Sequence, residues 1–236
     1  MTPRTTPART IHGNAIAARD RPPKAGGGRI SAAEAFRRAL QVCLAGTAIA
    51  ASQAAAQSCP ISTPVVVTTA RYLNDNCQIT ASGALAIFAP GSWTVSGSIF
   101  FSNAGMLEVH NNAGLLNFGD LTNANTLNNY SGGMLKNFLD MMNSGSLANG
   151  GTLQNFSGLS NMQLMDNHGS LENYSMFSNA GTLDNTNALS NSGTAATFDN
   201  HGLVNNGGSL TSSGTFNNHA GASLANLAGA SLTNSG

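Results

Sequence analysis

Ten six-residue units follow one another without interruption in residues 135–191, which read LKNFLD MMNSGS LANGGT LQNFSG LSNMQL MDNHGS LENYSM FSNAGT LDNTNA LSN. Each unit, or hexad, begins with Leu, Met or Phe and carries Asn two positions later. Gly often stands two positions after the Asn, as at Gly145, Gly151 and Gly169. The consensus hexad is therefore Leu-x-Asn-x-Gly-x.

The same spacing extends in both directions from this run. An earlier run from Val109 to Asn129 keeps the six-residue spacing and then slips by two residues into the long run. Looser hexads continue from Phe198 to Asn234. The repeat thus covers residues 101–236.

A period of six is a multiple of the two-residue period of a β-strand and not of the helical 3.6, so Leu, Asn and Gly of one hexad point the same way in an extended chain. The intervening positions are mostly polar or small, which leaves one face buried and one wet. Hexads of this kind bury their apolar face only by stacking, as in a solenoid. We expect inward ladders of stacked Asn side chains at Asn137, Asn143, Asn149, Asn155, Asn161, Asn167, Asn173, Asn179, Asn185 and Asn191.

A longer period indicates how many hexads complete one coil. Four aromatic residues each directly follow the Asn of a hexad at spacings of 20, 18 and 18, and the spacing of 20 spans the slip: Phe118, Phe138, Phe156 and Tyr174. Each aromatic residue comes three hexads after the last, which predicts a triangular, single-stranded parallel β-helix with three hexads per coil. About seven coils between residues 101 and 232 would make a rod about 35 Å long.

The charged residues divide the chain into two unlike parts. Only 8% of the 236 residues are charged, against about 25% in a typical soluble domain, which disfavours an ordinary cytoplasmic enzyme. Residues 1–56 hold eight basic and two acidic residues, a formal charge of +6. Residues 57–236 hold two basic and eight acidic residues, a formal charge of −6. The second part lacks the basic footprint that nucleic acid requires, so no nucleic-acid partner is expected.

Residues 1–56 have the features of a cleaved export signal. A long basic lead ends in Arg37-Arg38, an uncharged Ala-rich stretch follows, and Ala54-Ala55-Ala56 provides an A-x-A end. The apolar stretch is short for a permanent membrane span. Cleavage would leave Gln57 as the first mature residue and direct the chain out of the cell; an amphipathic helix of a folded domain is the alternative.

Residues 57–100 carry no hexads and are predicted to form a small N-terminal β cap over the first coil. Residues 65–67, 84–88 and 93–101 are typical of short strands. Cys43 would leave with the signal, so Cys59 and Cys77 remain as one pair, which predicts a disulfide in an exported chain. Two lone cysteines are a poor metal site.

Few groups in the repeat are suited to catalysis, and neither a catalytic residue nor a cofactor or metal is predicted. The carboxylates occur singly except for Asp166 and Asp184, which lie 18 residues apart and therefore on adjacent coils. The histidines at 110, 168, 201 and 219 are interpreted as solvent-facing spacers. The four aromatic residues are the candidate binding stripe if they point outward, with Met162 and Met176 near its side; stacking that only stabilises the coils is the alternative.

The repeated hexads behind a long export signal resemble the passenger regions of bacterial autotransporters and filamentous-haemagglutinin-like adhesins. An example of the repeated G-x-L-x-N pattern is Gly151-Thr152-Leu153-Gln154-Asn155. The resemblance implies an exported, non-enzymatic surface protein that attaches to a protein or glycan of host or bacterial cells. This sequence shows no C-terminal run of amphipathic strands, so a C-terminal continuation or a separate translocator barrel is an expected partner.

Two other classes use similar units. Hexapeptide-repeat acyltransferases also place three six-residue units in each coil, and they are the alternative function; their cytoplasmic location conflicts with the export signal. Ice-binding solenoids need regular rows such as Thr-x-Thr, and the outward positions here are too mixed.

Overall fold

A computed structural model describes residues 59–97 and 99–236, which form β-strands and turns. The predicted export signal lies outside these residues. No helix suited to crossing a membrane occurs in the described part of the chain. The strands are β1 (Pro64–Val67), β2 (Ala70–Leu73), β3 (Cys77–Ile79), β4 (Ala84–Ile87), β5 (Ser92–Val95), β6 (Phe100–Asn103), β7 (Met106–Val109), β8 (Gly114–Asn117), β9 (Asp120–Asn123), β10 (Thr126–Asn129), β11 (Met134–Asn137), β12 (Asp140–Asn143), β13 (Ser146–Asn149), β14 (Thr152–Asn155), β15 (Gly158–Asn161), β16 (Leu164–Asn167), β17 (Ser170–Asn173), β18 (Met176–Asn179), β19 (Thr182–Asn185), β20 (Ala188–Asn191), β21 (Thr197–Asn200), β22 (Leu203–Asn206), β23 (Ser209–Ser212), β24 (Thr215–Asn218), β25 (Ser223–Asn226) and β26 (Ser231–Asn234).

Every strand pairs in parallel with the strand three places along the chain, so three consecutive strands make one coil. Sheet 1 contains β1, β4 and so on to β25, sheet 2 contains β2, β5 and so on to β26, and sheet 3 contains β3, β6 and so on to β24. The fold is the predicted all-β, triangular parallel solenoid, with about eight turns. The twenty-one strands β6 to β26 make up the seven coils predicted from the hexads.

The hexad determines each strand because its apolar residue and its Asn are the second and fourth residues of a four-residue strand. Both side chains point inward, and the first and third residues point outward. Leu135, Leu153 and Leu171 stack in register in sheet 2, and each is 0% exposed. Each buried side chain of this size contributes about 1.5–3 kcal/mol to stability.

The buried asparagines form three ladders, one along each sheet. Along each ladder the Nδ2 of an Asn donates to the Oδ1 of the Asn one coil later at 2.7–2.9 Å, as Asn137 does to Asn155 and Asn155 to Asn173. In the sheet 2 ladder, Asn191 instead donates to the Ser212 hydroxyl at 3.0 Å. Backbone carbonyls accept the other amide hydrogen, as those of Gly158 and Met176 do from Asn137 and Asn155. The ten predicted ladder positions all belong, and the ladders extend beyond them to Asn103, Asn117, Asn123, Asn129, Asn200, Asn206, Asn218 and Asn226.

One ladder begins with an unpaired acceptor. Asn129 Oδ1 is buried without a hydrogen-bond partner, and the residue opposite it one coil earlier is Val109, which has no amide to donate. At the starts of the other two ladders, the Oδ1 atoms of Asn103 and Asn117 accept from the backbone N–H of Gly105 and Gly119. The longer turn after β10 brings no equivalent N–H to Asn129.

The segment predicted as a cap is built from coils of the solenoid itself. Strands β1 to β5 occupy residues 64–95 and join the same three sheets as the hexads. The inward position that Asn occupies in the hexads holds Val, Leu or Ile in these strands, which is why the hexad pattern is not visible there. Cys59 and Cys77 lie at disulfide distance, with their Cα atoms 5.3 Å apart.

Glycine is required where coils approach closely at a corner. A Cβ at Gly169 would lie 2.0 Å from the carbonyl oxygen of Gly151 in the preceding coil. The two-residue slip is taken up by the turn between β10 and β11, where Gly132 has φ of +76°. On the C-terminal side the sheets end in β24, β25 and β26, where Leu232 is 42% exposed.

Candidate functional site

The residue after each inward Asn points outward at a corner of the triangle, because side chains alternate along an extended chain. At the corner between sheets 2 and 3, this position holds Phe118, Phe138, Phe156 and Tyr174 in four successive coils. Their rings stack face to face with centroids 4.5, 5.0 and 5.0 Å apart and interplanar angles of 7°, 11° and 8°. We call these four residues the aromatic file.

The aromatic file lies on the outside of the rod and is partly exposed. Each ring covers the face of the next, so the three phenylalanines are half-buried, whereas Tyr174 is 40% exposed. The next coil carries the short Ser192 at the same corner position. The structure thus brings the four predicted residues together on the surface; their role in binding stays a prediction.

The outer surface of sheet 2 runs alongside the aromatic file. Its central row consists of Leu116, Lys136, Gln154, Glu172 and Ser190, which face one another across successive strands. Met134, 36% exposed, lies beside this row and packs with Leu116 over Gly114. We call the central row and the aromatic file together the sheet 2 face.

Hydrogen bonds connect the polar row to the aromatic file. Glu172 accepts from the Tyr174 hydroxyl at 2.6 Å and from Gln154 Nε2 at 2.9 Å. The Tyr174 hydroxyl and then Gln154 lower the pKa of Glu172, so this carboxylate stays ionised. The same hydrogen bond, with Glu172 as acceptor, raises the pKa of Tyr174.

The two methionines predicted to extend the stripe lie apart from each other. Met176 is the first residue of β18, two residues after Tyr174, and is 58% exposed beside the aromatic file. Met162 follows β15 at the opposite edge of sheet 3 and is 56% exposed. Only Met176 therefore continues the stripe.

Sequence reasoning did not detect two further ring stacks at the other corners. His110 lies between Phe88 and Tyr130, with ring centroids 3.8 and 4.7 Å away. His201 and His219 stack at 3.8 Å. Each of these rings also directly follows the inward fourth residue of a strand, and this position in the sequence was the signal that could have predicted the stacks. Phe88 and His110 follow Ile87 and Val109 rather than Asn, so a search for residues after Asn does not find them.

The carboxylates Asp166 and Asp184 face each other on adjacent strands, as their spacing predicts. Burial and then the charge of Asp184 raise the pKa of Asp166. Asn205 donates to Asp184 at 2.7 Å, and His168 Nδ1 contacts the Thr186 hydroxyl at 2.6 Å. These residues line a shallow groove of about 420 Å³ together with Gly207 and Leu227.

Another polar cluster lies near the C-terminal side. Asp199 contacts His219 Nε2 at 3.1 Å and accepts from Asn217 at 2.8 Å, and the hydrogen bond from Asn217 is the largest cause of its lowered pKa. Within residues 59–97 and 99–236, no three His, Cys, Asp or Glu side chains come together in a way that could hold a metal ion.

No protein-family description matches this chain, and neither the curated proteins nor the solved structures contain a significantly similar chain. The parallel β-solenoid is consistent with a β-helix repeat protein.

Proposed function

We propose that this chain is an exported surface protein of the autotransporter or haemagglutinin-like type, acting as a non-enzymatic adhesin that attaches to a cell-surface protein or glycan. The observation that carries this proposal is the aromatic file, a column of four stacked rings on the outside of the solenoid. Exposed apolar stripes of this kind are typical of contact surfaces. Tyr in particular combines an apolar ring with a hydrogen-bonding tip.

The chemistry next to the aromatic file supports a binding role. Glu172, Gln154 and the Tyr174 hydroxyl offer acceptors and donors within reach of a molecule that lies on the rings. The described part of the chain has eight carboxylates but only Arg71 and Lys136 as basic residues. Nucleic acid is therefore disfavoured as a partner.

Two features support export to the cell surface. Residues 1–56 have the charge and apolar pattern of a cleaved signal. Cys59 and Cys77 lie at disulfide distance, and such pairs persist in oxidising compartments.

The experiment replaces rings of the aromatic file and measures adhesion and folding together. The double variant Phe138→Ser, Phe156→Ser is compared with Phe88→Ser, Tyr130→Ser, which removes two rings from the stack at another corner. Binding is measured to cell monolayers and to glycan arrays, and thermal stability is measured by circular dichroism.

The proposal predicts that adhesion falls at least about tenfold in the first variant and stays near wild type in the control, as expected when a central aromatic anchor is lost. Loss of thermal stability with unchanged adhesion per folded molecule would mean that the rings only stabilise the rod, and the proposal would be withdrawn.

A further inference from the structure

The sheet 2 face has a charge pattern that is complementary to itself. Lys136 lies one coil before Gln154, and Glu172 lies one coil after it, in one row. A twofold axis that passes through Gln154, parallel to the strands, would place Lys136 of one copy opposite Glu172 of another, and the reverse. Lys136 is the only basic residue after Arg71 in the chain.

The aromatic file fits the same axis. A rotation about an axis parallel to the strands does not move a residue along the strand direction, so the aromatic file of one copy lies opposite the aromatic file of the other. Phe156 then meets Phe156 of the second copy, and Phe138 meets Tyr174. Phe118 then lies opposite Ser192, whose short side chain leaves room for a ring. Leu116 lies opposite Ser190, so no carboxylate on the central row faces an apolar side chain.

The charge pattern also selects the direction of pairing. If two rods ran in the same direction about an axis parallel to the rods, Lys136 would face Lys136 and Glu172 would face Glu172. Like charges facing each other across an interface oppose association. Antiparallel rods instead bring together two symmetric pairs of opposite charge.

We propose that the sheet 2 face binds a second copy of this chain, with the two rods antiparallel and related by a twofold axis at Gln154. The pairing names a partner for the sheet 2 face, and it therefore rests on the proposed function of that face as a contact surface. An adhesin of this kind would hold together cells that display the same protein.

The size of the face makes this pairing weak in solution. The sheet 2 face covers five neighbouring strands, β8, β11, β14, β17 and β20, which span about 24 Å along the rod. Across the rod, one strand and its corner are about 16 Å long, so each copy buries on the order of 400 Å². Stable interfaces bury about 800 Å² per partner, so the dimer belongs to the weak and transient class. Many copies on opposed surfaces would add avidity.

The test measures the association of the full chain by sedimentation velocity from micromolar to millimolar concentration. Lys136→Glu and Glu172→Lys are each compared with the double variant that carries both changes. Asp75→Lys, an exposed charge reversal in the turn between β2 and β3, is the matched control. Circular dichroism checks that each variant is folded, and a salt titration of wild type needs no variant at all.

We expect a wild-type monomer–dimer equilibrium that weakens with added salt. Each single reversal should raise the dimer dissociation constant at least about tenfold, and the double variant should restore it, because its opposite charges again meet across the axis. Asp75→Lys should leave it unchanged. A monomer at every concentration, or a dimer that persists in Lys136→Glu, would overturn the proposal.

The adhesion assay separates this inference from the proposed function. A wild-type monomer that still needs Phe138 and Phe156 to bind cell monolayers or glycans would overturn the pairing and leave the adhesin proposal standing, with a different partner. A charge-dependent dimer that binds neither monolayers nor glycans, and does not aggregate the cells that display it, would support the pairing and overturn the adhesin proposal.

Discussion

Replacing Asn155 with Ala should destabilise the rod at its middle. Asn155 is 0% exposed and occupies the centre of the sheet 2 ladder. Its Nδ2 donates to Asn173 Oδ1, to the Ser157 carbonyl and to the Met176 carbonyl at 2.8–2.9 Å, and its Oδ1 accepts from Asn137 at 2.8 Å. The methyl group of Ala makes none of these bonds.

The loss in the free energy of unfolding depends on the polar atoms of Asn137 and Asn173 that lose their partner. Asn173 Oδ1 loses its amide donor in a dry interior, which costs about 1–3 kcal/mol. Asn137 keeps two carbonyl acceptors, of Leu139 and Gly158, and so loses less. With the cavity left by the amide, we expect the free energy of unfolding to fall by about 3–5 kcal/mol.

The matched control is Asn226→Ala, at the end of the sheet 1 ladder. Asn226 is exposed, and Asn206 keeps the Ser231 carbonyl as a second acceptor at 2.7 Å. Water can replace the bonds that are lost, so the expected cost is about 1 kcal/mol or less.

Chemical denaturation followed by circular dichroism measures both variants, and hydrogen exchange shows where protection is lost. Because each coil contacts only its neighbours, the loss for Asn155→Ala should be centred on β11, β14 and β17. Equal losses for the two variants, or a loss below about 1 kcal/mol for Asn155→Ala, would refute the view that a hydrogen-bonded ladder stabilises the interior.

Three other predictions concern single positions. Leu153→Asp should abolish the central coils, at a cost in the free energy of unfolding above about 4 kcal/mol, because it buries a charge without a partner. Ser160→Asp, on the outer surface between Met142 and Ser178, should cost less than about 1 kcal/mol in the same thermal melts. Gly169→Ala should cost about 1–3 kcal/mol because its Cβ would meet the Gly151 carbonyl at 2.0 Å, whereas Gly150→Ala, whose nearest neighbour is 3.4 Å away, should be nearly neutral in denaturant titrations. Asp166→Asn should make the rod more stable than wild type at neutral pH. The pKa of Asp166 in the folded state is raised above its ordinary 3.8, so the ionised carboxylate destabilises the folded state at pH values above the folded-state pKa. The stability gained by Asp166→Asn should therefore disappear as the pH falls below the ordinary pKa. An Asp166→Asn variant no more stable than wild type at neutral pH would count against this sign.

The sequence alone was sufficient for the coil architecture, because a period of six matches extended chain and not helix. Leu153 and Asn155 therefore had to share the inward side, and Phe138 and Phe156 had to share a corner three hexads apart. The sequence is less informative for residues 57–100, where Val, Ile and Trp occupy inward positions and no Asn marks the hexad. Its pattern there predicts a β cap over the first coil, whereas these strands continue the same three sheets.

Only the tertiary structure decided what the chain presents on its surface. The local pattern shows which side of a strand a residue takes, but not which residues of distant coils meet. Coil length and register decide these contacts, and a turn such as the one at Gly132 lengthens a coil by two residues. Examples are the stacking of His110 on Phe88, the contact of His219 with Asp199, and the row of Lys136, Gln154 and Glu172. A repeat determines one unit and its nearest neighbours, whereas a binding surface spans several coils and depends on how their turns add up.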